Sequence, residues 1–103
     1  MTKSVAALVA ILRETRSLIA RPGADSCWSG WRTQAEALAE FDGLIAELEA
    51  GRLPHWRDIW VLFAGAGPVQ DWSIDNGWGE AFIGLSGRFD EALAGVYPEA
   101  RGH

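Results

Sequence analysis

The sequence predicts an all-α fold, a compact antiparallel bundle of four main helices. Three observations predict it. Apolar residues recur at three- and four-residue spacing over long stretches, and Gly and Pro punctuate those stretches with short gaps. No run of alternating apolar and polar residues signals a strand. The 103 residues suit one helical domain spanning 1–103, and a composition 49% apolar and 22% charged is that of a chain that folds.

The first helix is expected over Ser4–Ala20, where Val5, Leu8, Val9, Leu12 and Ile19 share a broad apolar face with Ile11 and Leu18 beside them. Thr2 or Ser4 can cap its start, and Arg21-Pro22-Gly23 ends it because Pro22 lacks a backbone donor and disfavours helix at Arg21. The apolar run Val5–Leu12 behind Lys3 resembles the middle of a signal peptide. Arg13, Glu14 and Arg16 follow at once, no small-x-small cleavage site does, and the run is too short to span a bilayer. A core helix is the expected reading.

Gly23–Gly30 reads as a loop. The second helix is expected from about Trp31 to Ala50, with Trp31, Ala35, Leu38, Ile45 and Leu48 as its stripe and Phe41 and Leu44 at the edge. Gly51 suits the position just past a helix end. Pro54 can open a third helix reaching about Ala64. Trp56, Ile59, Trp60, Val61, Leu62 and Phe63 make it apolar nearly all round, so it is expected in the middle of the bundle.

Two readings stand for 68–76: an extra short helix opened by Pro68 and ended at Gly77, or an extended piece in which Trp72 and Ile74 alternate. The last helix carries Trp78, Phe82, Leu85, Phe89, Leu93 and Val96 at helical spacing. Asn76 is its expected cap, Glu80 suits the dipole of its first turn, and Tyr97-Pro98 ends it.

The formal charge is −5, from 14 acidic and nine basic residues. Lys3 is the single lysine and the arginines are scattered, so neither nucleic acid nor a membrane surface is an expected partner. A basic protein suits this charge, which also serves solubility. Cys27 is the only cysteine, which excludes an internal disulfide and points to a reducing, cytoplasmic setting.

A zinc site needs about four ligands, or three with an open position, and Cys27, His55 and His103 are the only Cys and His residues. Glu-x-x-His pairs of the kind that hold metals in bundles are absent, so neither metal nor cofactor is expected. Gly65-x-Gly67 lacks the Gly-Lys-Ser/Thr of a phosphate loop. Gly77-x-Gly79 has Phe82 where a dinucleotide fingerprint needs its third glycine. No catalytic residue is assigned, and the chain is not expected to be an enzyme.

Six tryptophans are the unusual feature. Trp31, Trp56, Trp60 and Trp78 fall in helical stripes and read as core, whereas Trp28 and Trp72 fall outside them. Around Trp72 stand Asp71, Asp75, Asn76 and Glu80, an aromatic centre with an acidic rim that a basic partner would fit. These five are the candidate partner-binding residues, with Trp72 as anchor. Trp28 with Glu36, Glu40 and Glu47 forms a secondary candidate surface. The competing packing reading has Trp72 capping the core and the acids serving helix ends and solubility. Two alternatives stand beside partner binding. One is a homo-oligomer with a tryptophan-rich helix face as its seam. The other is a small-molecule domain using Cys27, His55 and Asp58, with a pocket lined by Trp56 or Trp60.

The segment Leu62-Phe63 … Gly67-Pro68-Val69-Gln70 … Ser73-Ile74-Asp75-Asn76-Gly77-Trp78-Gly79 … Phe82 … Arg88-Phe89-Asp90 resembles the centre of an uncharacterised family of small bacterial proteins of about a hundred residues. The resemblance covers roughly residues 30 to 93 and implies a bacterial source, a single helical domain and no known catalytic residues. In general character the chain is also similar to immunity proteins of bacterial toxin systems. That similarity implies binding to a cognate toxin and occlusion of its active site.

Overall fold

A computed structural model describes residues 2–22, 33–64 and 67–101. The architecture is all-α: α1 (Lys3–Ile19), α2 (Gln34–Glu49), α3 (Trp56–Phe63), α4 (Pro68–Asp75), α5 (Gly79–Val96) and a closing 3₁₀ turn, Pro98–Ala100. The short stretch 68–75 is helical, which resolves the two readings of that segment.

The ion pairs give the topology. Arg13 and Arg16 of α1 reach Glu49 and Asp42 of α2, so the two helices run in opposite directions. Gln34 at the start of α2 donates to the carbonyls of Ile19 and Arg21 at the end of α1, in the same sense. On the other flank Glu14 of α1 takes a two-pronged contact from Arg88 of α5, and Ser4 lies against Gly95. α1 is therefore antiparallel to both neighbours and sits between them. Leu8, Leu12, Thr15 and Ile19 carry its fully buried face.

This corrects the expectation that the third helix occupies the middle. α3 buries Trp56, Ile59, Leu62 and Phe63 but leaves Val61 48% exposed and Arg57 and Asp58 in water. It is a lid helix that packs one face on α4 and α5. Its apparently continuous apolar run is two functions in one segment: an inward stripe at three- and four-residue spacing, and apolar residues left at the surface. Phe63 lies at the junction. Its ring stacks on Phe89 with centroids 4.0 Å apart, lies near-parallel to Phe82 at 6.4 Å, and meets Phe41 of α2 edge-on at 6.4 Å.

Helix ends differ from expectation in three places. α2 begins at Gln34 because Thr33 is its cap, its hydroxyl accepting from the Glu36 N–H. Its buried stripe is Ala37, Phe41, Ile45 and Leu48, so Phe41 is central and Ala35 is exposed. Trp31 lies outside the described residues. α3 begins two residues after Pro54, capped by His55, whose Nδ1 accepts from the Arg57 N–H. Asn76 closes α4 instead of opening α5, and Trp78 is the residue before Gly79.

The ends of α2 and α4 share one device. Gly51 and Gly77 have φ of +82° and +80°. The N–H of the residue after each glycine, Arg52 and Trp78, bonds back to the carbonyl of Glu47 and Ser73 respectively, and the glycine N–H to Leu48 and Ile74. These paired bonds satisfy carbonyls that a helix end would leave without partners.

Tyr97 fastens the far end. Its ring is buried, and its hydroxyl donates to the carbonyl of Pro54 at 2.6 Å, joining the residue after α5 to the approach to α3. Tyr97→Phe should lower unfolding stability by about 1 kcal/mol, since a partly buried carbonyl loses its donor. Denaturant unfolding checks this; a change within error would mean that water replaces the hydroxyl without cost.

Candidate partner-binding surface

Of the two candidate surfaces, the one around α4 is set by helical rotation. Val69, Trp72 and Ser73 recur at three- and four-residue spacing and are buried; Asp71, Ile74 and Asp75 recur the same way on another face. Trp72 is 0% exposed. It is a core residue, and the expectation that it anchors a partner at the surface is corrected on that ground. Asp71 precedes it by one residue, 100° round the helix, and Asp75 follows it by three.

The apolar residue that shares a face with Asp71 and Asp75 is Ile74, which is 63% exposed. Sequence reasoning passed over it because it weighed residue type before periodicity; the 3.6-residue period within 68–75 was the available signal. Asp71 and Asp75 are each half-buried. Asn76 turns its amide Nδ2 onto the carbonyl of Trp72 at 2.9 Å, so its side chain serves the helix end. Glu80 is exposed in the first turn of α5, as Asp71 occupies the first turn of α4. Both positions complement helix dipoles, so part of this acidity is structural in origin.

The secondary surface divides similarly. Glu36, Glu40 and Glu47 are exposed along one face of α2. Trp28 and Cys27 lie outside the described residues. The other α2 acids are engaged with α1. Hydrogen bonding from Arg16 holds the Asp42 carboxyl below the usual carboxylate range, and Arg88 does the same for Glu14. Trp56 and Trp78 are buried and Trp60 is half-buried, so the described residues offer no tryptophan-rich seam for a homo-oligomer.

His55 caps α3 and Asp58 is exposed in its first turn. Burial raises the Tyr97 phenol above its ordinary value, with Glu99, Asp58 and Glu47 adding to the effect. Among the described residues no three His, Cys, Asp or Glu side chains gather closely enough to hold a metal. No described helix is long and apolar enough to cross a membrane.

No protein family, no curated protein and no solved structure matches this chain. The surface thus has to be read from its own geometry.

Proposed function

We propose that this chain is a protein-binding module for a basic protein, and specifically an immunity-type inhibitor that occludes a cognate bacterial toxin. One observation carries the reading: Ile74 stands exposed between Asp71 and Asp75 on one face of α4, with Glu80 at the start of the next helix. An exposed aliphatic group ringed by acids offers a partner apolar contact area at its centre and charge complementarity at its rim. The net charge of −5 supports it, because a negative domain attracts a basic partner at long range.

In this mechanism the acids steer the encounter and Ile74 contributes to residence once docked. The partner to test is the product of the adjacent gene, purified alone and titrated with this chain. Ile74→Lys should weaken binding by about 2 kcal/mol, near thirtyfold, mostly through faster dissociation. Asp71→Asn with Asp75→Asn should slow association and flatten its salt dependence. Circular dichroism should report an unchanged fold for Ile74→Lys, since the side chain is in water. Equal binding by wild type and Ile74→Lys would remove α4 as the contact surface.

A homodimer is the second reading, favoured by Ile83, which is 71% exposed on α5. Sedimentation at micromolar concentration separates the two, since a dimer dispersed by Ile83→Lys would support self-association.

A further inference from the structure

We draw no further inference here: the strongest candidate, the exposed strip of α5 on which Ile83, Gly84 and Gly87 lie between Glu80 and Glu91, is a stripe of small residues beside one exposed aliphatic side chain, and nothing in the structure shows what covers it.

Discussion

Phe63→Ala should lower unfolding stability by about 3–5 kcal/mol, the range for emptying an aromatic site in a close-packed core. Phe63 is 4% exposed and contacts rings from two helices: Phe41 from α2, and Phe82 and Phe89 from α5. Removing it forfeits the apolar burial, the ring–ring geometry with Phe89 at 4.0 Å, and the contact between α3 and α2. A domain of this size has roughly 5–15 kcal/mol in total, so the variant should melt roughly 15–30 °C lower. Phe63→Leu is the informative companion. It restores most of the volume without the ring and should cost about 1–2 kcal/mol. Thermal and urea unfolding of both variants measure the difference. If Phe63→Ala costs less than about 1.5 kcal/mol, the four-phenylalanine junction is not the centre of the core.

The fold was legible because its long helices obey a strict period. The inward faces of α1 and α5 follow the residues their spacing selects, with Val5 and Val96 left half-buried and Thr15 and Ala94 added, and Thr2 caps α1 as its chemistry suggests. Two kinds of information were missing. The position of α3 depends on tertiary contacts: an eight-residue segment apolar on several sides reads as central, while here Val61 faces water and α1 takes the middle. The exact caps depend on competition between adjacent candidates, and Thr33 and Trp78 took places that the sequence offered to earlier residues. The candidate surface was half legible. Asp71, Asp75 and Glu80 do lie at or near the exterior, but Trp72 points inward because 100° of helical rotation separates each residue from the next. Once 68–75 is helical, Ile74 is the apolar residue that must share their face.

Gly67→Ala should destabilise the chain by about 2–3 kcal/mol or more, whereas Gly43→Ala should stabilise it. Gly67 precedes α4 and is buried where α3 ends. A Cβ added there would stand 2.6 Å from the Val61 carbonyl oxygen and 2.8 Å from that of Ala64. Both are backbone atoms at the end of a helix, so no side chain can swing aside. Moving α4 away would stretch the Gly67 N–H bond to the Ala64 carbonyl, 2.8 Å long, and lift Trp72 and Val69 from the core. The cost is therefore one of overpacking against rigid structure. Gly67 has φ of −83°, so the backbone conformation itself suits alanine and the whole effect is steric. Gly43 isolates the opposite term. It lies within α2 with nothing inside 4 Å of an added Cβ, so alanine there gains helix propensity and restricts the unfolded chain, worth about 0.5–1 kcal/mol. Chemical unfolding of the two single variants should move the midpoint in opposite directions. Equal or favourable effects at both sites would mean that α3 and α4 do not approach each other as closely as Gly67 requires.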